Sequence, residues 1–149
     1  MDRLEKVIEL SLRGLVRTKD RMLYTKLARL HRRKGGLTWH LIRGNARKDS
    51  VVRASQYVGV VSVHPVNGET LSHSPTAQDF ERFVNKNFVL LRVPSAWRCI
   101  GSWHDQKSGE HHLDISEICF SYEQAANLGR KHKQKSIYLL HEDRSVQIK

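Results

Sequence analysis

The spacing of apolar residues changes once, at Gly35-Gly36, and that change does most to limit what this chain can fold into. Before the glycines, Leu4, Ile8, Leu12, Leu15, Met22, Leu23, Leu27 and Leu30 recur every three or four positions, the period of a helix with one buried side. Gly14 and Thr18-Lys19-Asp20 interrupt the run, so one kinked helix and two shorter ones both satisfy it. After the glycines the apolar residues come in short runs instead. Leu37-Thr38-Trp39-His40-Leu41-Ile42 reads as a strand, and Tyr57 to Val63 reads as a Val-rich one closed by Pro65 and Asn67-Gly68. These two strands are expected to pair with each other.

A helix is expected from Ser74-Pro75 or Thr76, with Asp79 near its positive end. Phe80, Phe83, Val84, Phe88 and Leu91 form its buried stripe, and Pro94 closes it. Cys99–Asp105 and His111–Phe120 read as a hairpin about Gln106-Lys107-Ser108-Gly109. Ser121 with Gln124 three residues later has the form of a capping box, opening a helix to about Gln134 with Tyr122, Ala125, Ala126 and Leu128 inward. Ile137–Leu140 is a last strand. The expected fold is α+β: a basic N-terminal helical region over residues 1–36, then a domain over residues 37–149 with a mainly antiparallel sheet and two packed helices.

Charge divides at nearly the same place. Residues 1–56 hold 15 Lys and Arg against 5 Asp and Glu, whereas the rest of the chain is close to balanced at 11 against 10. From Arg21 to Lys48 there is no acidic residue at all. On a helical projection Met22, Leu23, Leu27 and Leu30 share one side, while Arg21, Lys26, Arg29, Arg32 and Arg33 fan across the other. An ordinary exposed helix mixes signs, so this excess points to a polyanion, and nucleic acid is the expected partner. The contact set is Arg21, Lys26, Arg29, Arg32, Arg33 and Lys34, continued by Arg43, Arg47, Lys48 and Arg53, with Trp39 as a base-stacking residue beside His40 and Tyr24. A homodimer through the N-terminal helix stays open. Lys131 to Lys135 form a second basic spot at a helix end, where the dipole alone favours cations.

Other classes are poorly served. No apolar run approaches the ~18 residues of a membrane span, and the N-terminal residues lack the apolar core of a secretory signal, so a cytoplasmic protein with no membrane partner is expected. Cys99 and Cys119 are too few for a disulfide framework; each sits in an apolar stretch, as a buried thiol would, and a bridge between them requires neighbouring strands. No phosphate loop or nucleophile elbow is present, and neither cofactor nor catalytic residue is expected. The alternative reading is a small metal-dependent nuclease on the hairpin, with His104, His112 and Asp114 as ligands, since alternate strand residues share a face.

The stretch from Leu37 to Gln147 resembles a small domain of unknown function found in proteins of phages and other mobile elements. The resemblance rests on Val63-His64-Pro65, the Thr76-Ala-Gln-Asp-Phe-Glu-Arg-Phe-Val helix start, Gly101-x-Trp103, His112-Leu-Asp-Ile-Ser116, and Glu123-x-Ala125-x-x-Leu128-Gly129-Arg130. It implies a mobile-element accessory protein that acts against or alongside a host nucleic-acid machine; with the basic helix, the expected function is a non-enzymatic nucleic-acid or nucleoprotein binder, and an inhibitor of a nucleic-acid-guided defence complex fits both. No site residue follows from it.

Overall fold

The computed structural model describes residues 21–93 and 96–149. The N-terminal helical pattern before Arg21, and Pro94 with it, lie outside these residues. Helix α1 (Arg21–Lys34) leads into β1 (Gly36–His40) through Gly35, whose φ of 77° is a conformation that favours glycine. The polar connector that follows β1, residues 43–55, is structured. It holds β2 (Gly44–Asn45), a 3-10 turn over Ala46–Lys48, and α2 (Ser50–Ala54), capped by Asp49, whose carboxylate accepts from the Val51 and Val52 amides.

Next come β3 (Gly59–Val63), β4 (Glu69–Leu71), α3 (Ala77–Lys86) and α4 (Phe88–Leu91). Thr76 and Asp79 form a full capping box at the start of α3: Thr76 Oγ1 accepts from the Asp79 amide, and Asp79 accepts from the Thr76 amide. The hairpin β5 (Trp97–His104) and β6 (His111–Cys119) is followed by α5 (Tyr122–Lys131), β7 (Ser136–Leu139) and β8 (Arg144–Gln147). At α5 the cap is partial. Ser121 accepts from the Gln124 amide, but the Gln124 side chain accepts from Phe120 N–H, not from the cap residue.

The eight strands of the described residues form one antiparallel sheet in the order β2-β1-β5-β6-β3-β7-β8, with β4 pairing β6. The α+β class is therefore as expected, but β1 and β3 do not pair. The long β5–β6 hairpin lies between them: β1 pairs β5, and β3 pairs β6. Pairing nearest strands in sequence missed this because the intervening hairpin supplies longer ladders to both.

One sheet face, built from Leu37, Trp39, Ile100, Leu113, Ile115 and Val63, is covered by α1, α3 and α4 through Tyr24, Leu27, Ala28, Phe80, Phe83 and Leu91. Helix α5 covers the same face further along, over Val61, Cys119, Ile137 and Leu139. Tyr24 and Leu27 are fully buried, each worth roughly 1.5–3 kcal/mol of apolar burial. The core is thus continuous across residue 36, and α1 is a structural layer of it. Tyr122 is on the outer side of α5 and exposed, contrary to the inward position its spacing suggested. The second sheet face is apolar around Val60, Cys99 and Ile118, where Ala46, Val52, Val58 and Leu140 pack.

Cys99 and Cys119 lie on neighbouring strands but on opposite faces, in separate clusters, and both are free thiols. Burial pushes the Cys119 thiol up to about 12 and moves Cys99 in the same direction.

Candidate nucleic-acid interface

Packing fixes the orientation of α1. Tyr24, Leu27, Ala28 and His31 point into the core, which leaves Arg21, Lys26, Arg29, Arg32, Arg33 and Lys34 exposed. The helix has no acidic residue, and among the described residues none of these six cations makes an ion pair. Lys26 Nζ lies 5.5 Å from the centre of the Trp39 ring, so its charge sits over an aromatic surface. Lys26, Arg29, Arg32 and Arg33 are spaced three and four apart. Each such like-charge pair costs an isolated helix about 0.2–0.5 kcal/mol.

The basic residues after β1 are arranged differently. Arg43 Nε donates to Asp49 Oδ2 at 2.8 Å and its guanidinium stacks 4.3 Å over Trp97. Arg47 donates to the Leu140 carbonyl at 2.9 Å, to Tyr138 Oη at 2.5 Å and to Asp143 at 3.3 Å. These two arginines, 39% and 48% exposed, tie the connector to the sheet, so unlike the cations of α1 their guanidinium groups already have partners. Lys48 and Arg53 are exposed, but they belong to the segment packed on the second face, across the sheet from α1.

Trp39 is corrected by its packing. It is 7% exposed and packs with Ile100 and Leu37 beneath α1, so it has no free ring face for a base. Tyr24 is fully buried as well. Strand burial is the ordinary fate of a large apolar ring, and residue order alone does not say which tryptophan escapes it.

The register also dismantles the expected metal trio. His104 pairs with His111 and Trp103 with His112, so His104 and His111 share the helix-covered face while His112 and Asp114 share the opposite one. His104 stacks on His111 at 4.0 Å, and His111 Nδ1 is 2.8 Å from His31 Nε2. Burial, followed by His111, His104 and Arg32, lowers His31 to about 4, which keeps it neutral near pH 7. On the other face burial raises Asp114 to about 6 against a bond from Ser62. No group of three or more His, Cys, Asp or Glu among the described residues is arranged to hold a metal ion.

Sequence reasoning missed Trp103. It stacks on His112 at 4.1 Å with the rings 18° from parallel, and it is 47% exposed. The signal was its alternation with Cys99 and Gly101 along β5; the missing part was the pairing that decides which face is covered. No protein-family model matches the chain, and no curated protein or solved structure matches it either. No helix among the described residues is long and apolar enough to cross a membrane.

Proposed function

We propose that this chain is a non-enzymatic nucleic-acid-binding protein whose phosphate contacts come from the exposed face of α1. The observation that carries the reading is a helix with six exposed cations, no acidic residue and, among the described residues, no ion pair. A stabilising role at the helix C-terminus accounts for Arg32, Arg33 and Lys34, because the dipole favours cations there. It does not account for Arg21, Lys26 and Arg29, since that effect fades within the last turn. A polyanion would also relieve the like-charge repulsion along the helix. A ribonucleoprotein exposes the same phosphates, so the host nucleic-acid-guided complex implied by the mobile-element resemblance falls within this reading.

The test is a salt titration of binding to DNA and RNA, comparing the nuclease-treated protein with an Arg29→Ala/Arg32→Ala/Arg33→Ala variant. The expected result is a steep fall of affinity with salt, and a slope reduced by about 2–3 in the variant, at roughly 0.7–0.9 for each phosphate that is no longer neutralised. Absence of binding to any nucleic acid at low salt would sink the reading.

A further inference from the structure

We infer that Trp103 is a stacking platform for one unpaired base of a single-stranded nucleic acid that reaches the sheet from the C-terminal end of α1. This rests on the nucleic-acid reading above and adds the form of the ligand and the place where a base is held.

The two sides of Trp103 are unequal. On β6 its register partner is His112, which stacks on the indole; on β1 its partner is Gly36, which has no side chain to lie against the ring. Nor can position 36 acquire one cheaply, because a Cβ there would stand 2.5 Å from the Ser102 carbonyl oxygen. Strand β2 pairs only with Trp39 and His40, so at Gly36 no further strand among the described residues extends the sheet beyond β1. The indole is held by the imidazole on one side and is about half exposed, which is the arrangement of a fixed aromatic surface with room for another ring.

Charge lies beside it. Lys34 is two residues from Gly36, a separation of at most about 7 Å along an extended chain, and Arg32 and Arg33 immediately precede it. Trp103 points to the sheet face opposite α1, so a strand whose phosphates follow α1 reaches the indole by rounding the β1 edge at Gly36, where no further strand among the described residues stands in the way. On the side away from Gly36, His112 Nδ1 is 3.2 Å from Thr70 Oγ1, which holds the imidazole in place against the indole. A duplex keeps its bases stacked inside, so only an unpaired base can use this surface. A protein partner seeking an apolar anchor would gain nothing from the adjacent cations unless it were acidic, whereas a nucleotide uses both.

The experiment measures affinity at fixed salt for a mixed-sequence single strand, an abasic backbone of equal length, a duplex and inorganic polyphosphate. The proteins are the wild type, Trp103→Ala, Trp103→Phe and the triple arginine variant. Trp103→Ala should weaken the base-bearing single strand by about 5- to 150-fold, the equivalent of about 1–3 kcal/mol per stacked base, and leave the abasic strand and polyphosphate unchanged. Trp103→Phe should restore most of the loss. Fluorescence quenching on single-strand binding should vanish in Trp103→Ala, because Trp39 and Trp97 remain but sit elsewhere. Unchanged affinity of Trp103→Ala for the base-bearing strand, or an equal loss for the abasic one, overturns the stack. If the triple variant still loses affinity for every polyanion in that case, the charge reading survives. No binding of the wild type to any of the four overturns both.

Discussion

His31 Nε2 and His111 Nδ1 stand 2.8 Å apart, and the other nitrogen of His31 is 2.7 Å from Ser102 Oγ. One ring must donate the proton that the other accepts, so the two imidazoles cannot both be charged. Burial, then His111, His104 and Arg32, holds His31 at about 4 when folded, against 6.5 when unfolded. The unfolded chain therefore binds more protons between these values. Stability is fully present above about pH 6.5 and lost as pH falls toward 4, by up to roughly 3 kcal/mol. His111 shifts in the same direction and adds to the loss. Urea unfolding near pH 7.5 and pH 5 should show the wild type losing stability and His31→Asn losing distinctly less. Equal losses would show that His31 is not the buried neutral group.

The Thr76–Asp79 box works at a lower pH. Burial alone would raise the Asp79 carboxyl, but the Thr76 amide, Arg82, the Thr76 hydroxyl and His73 outweigh it and hold the group at about 2. Its folded value lies below the unfolded one, so its contribution is present above about pH 4 and disappears as pH falls through about 2. Asp79→Ala should cost about 1–2 kcal/mol at neutral pH, the range of a lost helix cap. Circular dichroism during acid titration should show a flatter response in the variant between pH 4 and 2.

Arg98 and Glu117 meet at 2.6 Å with both side chains nearly buried, and Arg98 also donates to the Leu90 carbonyl. Removing only the carboxylate strands a buried guanidinium. Glu117→Ala should therefore destabilise by about 3 kcal/mol or more, whereas an Arg98→Met/Glu117→Leu double change should cost far less. Denaturant midpoints of the two variants test this directly, and similar losses in both would contradict it.

Local chemistry was readable in the sequence, and pairing was not. The Thr76 cap, the Gly35 helix end and the turn before Gly109 are decided by neighbouring residues, and each stands where the residue types put it. Strands β4 and β8 are short and polar, held by their partners β6 and β7 rather than by their own pattern. The site divides in the same way. The cations of α1 are exposed because a helix period separates them from Leu27, as the projection shows, but Met22, which the projection puts on the buried side, is 85% exposed, because the core face centres on Tyr24, Leu27, Ala28 and His31. That Trp39 is buried while Trp103 is half exposed, and that His104 is separated from His112, depend on the β1–β5–β6 register and on which face the helices cover.

That register yields a prediction about two kinds of arginine. Arg47 reaches the Leu140 carbonyl, Tyr138 and Asp143, closing the connector onto β7 and the turn that follows it, while Arg29 meets no acidic group among the described residues and sits on the outer side of α1. Arg47→Ala should lower stability by about 1 kcal/mol, the usual net worth of the hydrogen bonds it removes, and leave the salt dependence of nucleic-acid binding unchanged. Arg29→Ala should do the reverse. Stability should be unchanged or slightly raised, because like-charge repulsion with Lys26, Arg32 and Arg33 is relieved. The slope of log affinity against log salt should fall by about 0.7–0.9, the share of one phosphate. Paired unfolding and salt-titrated binding measurements on these two single variants separate the roles. A reduced salt slope in Arg47→Ala with none in Arg29→Ala would move the interface from α1 to the connector.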